Sequence, residues 1–223
     1  MRTVRELFMR RSLTKVVGIT VLAMTGMFVA PATSSASPSS TRPNPTVDSM
    51  AYAPNPIAIP KNLKLLSREP GAPEPGKDLA FESADSRRCM DADIHTIGDG
   101  QIAQLWDCNN SQQQVWRATY YNDTDIQISS GLGSNRCLDA DLNAINTNGA
   151  RVQLWKCNGS LQQRWRVYVV STDDRAIVLQ NLAANRFAVL DADLHTMDRN
   201  GTKLQLWDHN GDLQQIFYSN RYK

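Results

Sequence analysis

From residue 79 onward, short runs of alternating apolar and polar residues are separated by turns rich in Gly, Asn, Asp and Ser. Alternation with a period of two predicts half-buried β-strands. In Ala103-Gln104-Leu105-Trp106, Ala103 and Leu105 fall on one face, Gln104 and Trp106 on the other. Val152 and Leu154 oppose Gln153 and Trp155, and Leu204 and Leu206 oppose Gln205 and Trp207, in the same way. The aliphatic face is the natural core face, so Trp106, Trp155 and Trp207 are expected to point outward. No helical periodicity is evident after residue 78.

These runs belong to an internal threefold repeat. Asp91-Ala92-Asp93, Asp139-Ala140-Asp141 and Asp191-Ala192-Asp193 open the copies. A Gln-Leu-Trp element follows in each, its tryptophans spaced by 49 and then 52 residues. Gln-x-Trp elements ending at Trp116 and Trp165 come next, with Phe217 at the third position. Asp99-Gly100, Asn148-Gly149 and Asn200-Gly201 stand between the second and third strands, as hairpin turns require. Four strands per copy predict twelve in all, in a closed all-β domain that hides its edges. Arg164, inside the second Gln-x-Trp element, would be costly in a core. That face is therefore read as outward, with Trp116, Trp165 and Phe217 inward as packing residues.

The N-terminus differs in character. Basic residues run to Lys15, an apolar stretch covers Val16–Ala30, and small residues at Ser34 and Ala36 suit signal peptidase. Residues 1–36 are read as a signal peptide, 37–78 as a Pro/Ser-rich disordered linker and 79–223 as the folded body, with repeats at about 79–123, 124–173 and 174–223. The apolar stretch is short for a membrane span. Arg10 and Arg11 loosely resemble a twin-arginine export signal. A secreted, bacterial protein is expected.

The formal net charge of +2 conceals an asymmetry. Five basic side chains and one acid in the first 36 residues leave 19 basic and 21 acidic residues in the rest. A near-neutral body offers no footprint for nucleic acid. Four cysteines in an exported chain favour disulfides. Cys89 and Cys108 enclose nearly the same interval as Cys137 and Cys157, which suggests two equivalent local bridges.

Each copy collects chemistry suited to sugars. Carboxylates and amides bond hydroxyls, and a flat aromatic surface covers the C–H face of a ring. The candidates are Asp91, Gln104, Trp106 and Gln113; Asp139, Gln153, Trp155 and Gln162; and Asp191, Gln205, Trp207 and Gln214. The Cys-x-Asp, Gln-Leu-Trp-x-Cys-Asn and Gln-x-Trp elements resemble the ricin-B-type lectin family, whose domain also serves as a carbohydrate-binding module of bacterial glycosidases. The resemblance covers residues 79–223. It implies a β-trefoil of three pseudo-symmetric, four-stranded lobes with up to three shallow saccharide sites. It also implies that Asp91 and its equivalents accept vicinal hydroxyls, that the strand tryptophan stacks on the sugar, and that Gln113 and its equivalents complete the polar shell. The ligands so implied are glycans, either galactoside-like or xylan- or arabinan-like. Two departures stand out: the family often has Asn where Gln113, Gln162 and Gln214 stand, and Val189 and His209 replace the third cysteine pair. The third lobe is expected to be the least rigid.

Rival readings are weaker. A glycosidase needs two carboxylates flanking one bond, whereas Asp91/Asp93 and the equivalent pairs each lie on one short segment. The Asp91–Gly100 stretch lacks the closing Glu of a calcium loop. Asn143 fills the position of His95 and His195, which argues against zinc. No Gly-x-Ser-x-Gly element supports a Ser/His/Asp triad. No catalytic residue, metal or cofactor is therefore expected. The strongest non-lectin alternative is a trefoil that binds or inhibits another protein.

Overall fold

The computed structural model describes residues 59–66, 73–96, 98–170 and 173–221. The signal peptide read over 1–36 and most of the linker lie outside them. The strands are β1 (Leu63–Leu65), β2 (Leu79–Ser83), β3 (Cys89–Ala92), β4 (Gln101–Trp106), β5 (Trp116–Tyr120), β6 (Asp125–Ser130) and β7 (Arg136–Ala140). They continue as β8 (Ala150–Lys156), β9 (Trp165–Val170), β10 (Asp173–Asn181), β11 (Ala188–Ala192), β12 (Thr202–Asp208) and β13 (Phe217–Arg221). Short 3-10 turns at Gln112–Gln114, Leu161–Gln163 and Leu213–Gln215 precede the last strand of each lobe.

Two layers of pairing build the body. β2, β5, β6, β9, β10 and β13 pair in succession and back to β2, closing a six-stranded barrel. The remaining strands form three hairpins, β3/β4, β7/β8 and β11/β12. Their inner strands β4, β8 and β12 also pair with one another in a triangle that caps the barrel. This is the β-trefoil, and closure leaves the barrel without a free edge.

The core follows the alternation. Ala103, Leu105, Val152, Leu154, Leu204 and Leu206 are all buried beneath the cap. Trp116, Trp165 and Phe217 are fully buried, as their apolar role requires. The Nε1–H of Trp116 donates to the Met90 carbonyl at 2.8 Å, and that of Trp165 to the Leu138 carbonyl at 3.1 Å. The Gln-x-Trp aromatics thereby hold the residue just before each of the first two hairpin aspartates.

Two expectations need correction. Arg164 and Ile216 are partly exposed, but Val115 at the equivalent position is buried. Gly131 packs so closely on it that a Cβ there would lie 2.6 Å from the valine side chain. The outward reading of this face therefore fails in lobe one. The expectation of a structureless 37–78 linker fails at its C-terminal part. Leu63–Leu65 forms β1 and pairs with Tyr168–Val170 of β9. Leu63 and Leu66 are buried, so the segment adds a thirteenth strand among the described residues. Proline- and serine-rich composition masked this short Leu-Lys-Leu alternation.

Candidate functional site

In each lobe the hairpin sets an aspartate directly opposite a glutamine: Asp91 against Gln104, Asp139 against Gln153, Asp191 against Gln205. Opposed residues on antiparallel strands share a face. Gln104 Nε2 donates to Asp91 Oδ1 at 3.1 Å, and the equivalent bonds measure 3.2 Å to Asp139 and 2.9 Å to Asp191. The tryptophans two residues on come to the surface beside them. Trp106 and Trp207 are each 38% exposed, and Trp155 is half-buried.

The second oxygen of each carboxylate is held by the glutamine of the Gln-x-Trp element. Gln114 Nε2 donates to Asp91 Oδ2 at 3.2 Å, Gln163 to Asp139 at 3.1 Å, and Gln215 to Asp191 at 3.0 Å. Each of these amides also donates to the backbone carbonyl of Asp107, Lys156 or Asp208. Each accepts in turn from the backbone N–H of Asn109, Asn158 or Asn210. The Gln-x-Trp glutamine thus ties carboxylate, strand end and following turn into one unit. The signal was present in the sequence, since both amides of each Gln-Gln pair recur in all three copies.

Gln113, Gln162 and Gln214 stand one residue earlier in the same 3-10 turns. The Gln113 amide lies against Asp91, and that of Gln214 against Asp191. The carboxylates are consequently well covered: Asp91 is 1%, Asp139 0% and Asp191 3% exposed. Burial raises the pKa of Asp91 and Asp191 above the usual carboxylate value, although the amide donors pull it down. The second acid of each pair has a local task. Asp93, Asp141 and Asp193 accept from the backbone N–H of His95, Asn143 and His195, closing a turn.

The preceding lobe completes the wall of each site. Asp99 accepts from the backbone N–H of Lys156 at 2.8 Å, Asn148 from Asp208 at 2.9 Å, and Asn200 from Asp107 at 2.8 Å. These residues do more than turn the chain, because they lock the strand end that carries each site tryptophan. Gly100 and Gly149 follow two of them with φ of +85° and +86°, a region open to glycine. Their α-carbons face the rings of Trp155 and Trp207, where a Cβ would come within 3.9 and 4.0 Å of the ring edge. Arg88 donates to Asn200 and to the Met197 and Asp198 carbonyls, and Arg186 donates to Asn148. Arg136 lies 3.7 Å from Asp99.

Disulfides brace the open ends of two hairpins. Cys89–Cys108 and Cys137–Cys157 have Cα separations of 5.0 and 5.1 Å. Loop closure at these lengths contributes about 3 kcal/mol each. In lobe three, Val189 joins a small apolar cluster with Leu63, Tyr168 and Val178, flanked by Phe187 and Ile216. The Phe187 ring lies 5.3 Å from Tyr168 and 5.8 Å from His209, centre to centre. The leader strand β1 therefore covers the place where the third bridge is missing.

Residues 79–217 match the family model of the ricin-type beta-trefoil lectin domain. No curated protein matches the chain by sequence. Among solved structures, the designed threefold-symmetric protein ThreeFoil is similar at a TM-score of 0.57 and 20% identity, over 64% of this chain and 97% of that one. A ricin B-like lectin of Macrolepiota procera, solved in complex with lactose, gives 0.56 and 15%, over 66% and 97%. An exo-beta-1,3-galactanase from Clostridium thermocellum gives 0.59 and 16%, over 66% of this chain but only 30% of the enzyme. At these identities the likeness is one of fold.

Proposed function

Because the chain belongs to the ricin-type β-trefoil lectin family, we propose that it binds saccharides without transforming them, through one shallow site per lobe. The observation that carries this reading is the double anchoring of Asp91, Asp139 and Asp191. Each carboxylate oxygen takes one donor from a glutamine of the strand or of the Gln-x-Trp element, and a carboxylate oxygen can accept more than one bond. Two parallel acceptors at fixed spacing suit two adjacent hydroxyls, and charge-assisted bonds are the stronger kind. Trp106, Trp155 and Trp207 present partly exposed rings beside them for the apolar face of the sugar.

Gln113, Gln162 and Gln214 act as placeholders on this reading. The Gln113 and Gln214 amides cover Asp91 and Asp191 in the free protein and yield to the ligand hydroxyls on binding, and Gln162 takes the equivalent role in lobe two. Each aspartate is held by neutral amides, and its neighbouring acid is spent on a turn, an arrangement that supports binding rather than hydrolysis. Extracellular deployment is part of the proposal, supported by the two disulfides. Three weak sites on one body gain avidity on a polymer or cell surface.

A glycan array probed with the full chain tests the proposal. Binding to a defined saccharide class is expected, with loss in Asp91→Asn/Asp139→Asn/Asp191→Asn while circular dichroism stays native. A folded wild-type chain that binds no glycan would refute the reading, as would release of product from a bound polysaccharide.

A further inference from the structure

The cap triangle places a residue of each lobe at the edge of the next lobe's site, and these three residues differ. Lys203 of β12 is directly opposite Gln104, Arg151 of β8 opposite Gln205, and Ile102 of β4 opposite Gln153. Opposed Cβ atoms lie about 4.5–5.5 Å apart on one face. Asp91, Gln104 and Lys203 therefore form one row across β3, β4 and β12. Lys203 is exposed between the buried Thr202 and Leu204, so it faces out on the same surface as Trp106.

We propose that Lys203, supplied by lobe three, makes the lobe-one site prefer saccharides that carry a carboxylate. This inference rests on the saccharide-binding reading and assigns a ligand class to one of its sites. The side chain of Lys203 makes no hydrogen bond or ion pair among the described residues. Arg151, by contrast, donates to the Gly100 carbonyl and is held there. Arg88, near the same site, is tied to Asp107 and Asn200. The ammonium of Lys203 on its flexible stem is thus free to meet a ligand anion at the site's edge.

The rest of the lobe-one site disfavours an acidic sugar, since it presents the carboxylates of Asp91 and Asp93. Lys203 offsets that repulsion at the point where a ring substituent would emerge from beside Gln104. In lobe two Asp139 and Asp141 are equivalent, but Ile102 stands in the lysine's place and Lys156 stands where lobe one has Asp107. The acid preference is therefore read within one lobe at a time, with and without the lysine at this position.

The test uses the full chain with Asp139→Asn and Asp191→Asn, which leaves lobe one as the reading site. Calorimetric titration compares galacturonic with galactose disaccharides, and glucuronic with glucose disaccharides, matched except at C6. The acidic member is expected to bind about two- to fivefold tighter, the range of an exposed ion pair, with the gap closing as salt is raised. Adding Lys203→Met should erase that preference and leave neutral binding intact. In the converse chain, Asp91→Asn and Asp191→Asn, Ile102→Lys should create it. An acidic-to-neutral ratio unchanged by Lys203→Met overturns the inference alone, because neutral binding still stands. Absence of binding to every saccharide in the wild-type chain overturns the inference together with the reading beneath it.

Discussion

Gln114 donates from Nε2 to Oδ2 of Asp91 at 3.2 Å, and the same bond recurs between Gln163 and Asp139 and between Gln215 and Asp191. With Gln104 on the other oxygen, Asp91 is an internal anchor as well as a candidate ligand-binding group. Asp91→Ala would leave one N–H on each of the buried Gln104 and Gln114 amides without its acceptor, at a cost of about 1–3 kcal/mol each. Urea unfolding is expected to show Asp91→Ala destabilised by that order, and Asp91→Asn much less, because its oxygen still accepts one bond. Equal stability of the two variants would show that the anchoring contributes nothing.

Gln113, Gln162 and Gln214 lie where shorter asparagines would leave the carboxylate more open. Gln113 and Gln214 reach Asp91 and Asp191 in the free protein. Replacing all three by Asn should uncover the acids and tighten saccharide binding by a few-fold, chiefly through a faster on-rate, because no covering bond must first be exchanged. Surface plasmon resonance on immobilised glycan separates the rates. Weaker binding with unchanged folding would mean that these amides contact the sugar directly instead of giving way to it.

Much of this architecture is legible in the sequence because it is written three times. Alternation in Ala103–Trp106 and its copies assigns the faces correctly, the threefold repeat predicts a closed all-β domain, and the resemblance to the ricin-B-type family implies the trefoil. What escapes is whatever depends on contacts between lobes or on a single lobe's surroundings. Asp99, Asn148 and Asn200 read as turn formers, yet each also locks a neighbouring lobe's strand, a partnership about 57–93 residues away in sequence. Val115 is buried against Gly131 of the next lobe, whereas Leu182 and Ala84 stand at the equivalent contacts with Arg164 and Ile216. Leu63 sits in a proline- and serine-rich stretch whose average composition conceals one short strand.

That strand should matter most to lobe three. Leu63 packs on Tyr168, Val178 and Val189. Leu63→Ala and Leu66→Ala are each expected to cost about 2–5 kcal/mol, as for buried leucine truncation. Hydrogen exchange should accelerate first in β9, β10 and β11, leaving the disulfide-braced β3/β4 and β7/β8 hairpins protected. Uniform acceleration across all three lobes would show that β1 stabilises the barrel as a whole and does not stand in for the missing bridge.

His209 occupies the position of Cys108 and Cys157, and its ring packs against Phe187. Neither ring nitrogen has a hydrogen-bond partner at normal geometry. Burial lowers its pKa below the usual imidazole value of 6.5, outweighing the nearby Gln215 amide and Asp212 charge, which act in the opposite direction. The folded state therefore favours the neutral ring. Below pH 6.5 the unfolded chain takes up the proton first, so stability falls as pH drops from 6.5 towards the lowered folded value and levels off beneath it. His95 and His195 are exposed on turns and do not share this burial. His209→Phe keeps an aromatic ring against Phe187 and removes the titration. Thermal unfolding followed between pH 7.5 and 5 is expected to show a clear loss of Tm on acidification in the wild type and a flatter profile in the variant. Parallel profiles would place the acid sensitivity elsewhere than His209; the Asp125–Arg166 pair does not contribute in this window, because its lowered carboxylate pKa costs stability only as pH falls through the usual value of 3.8.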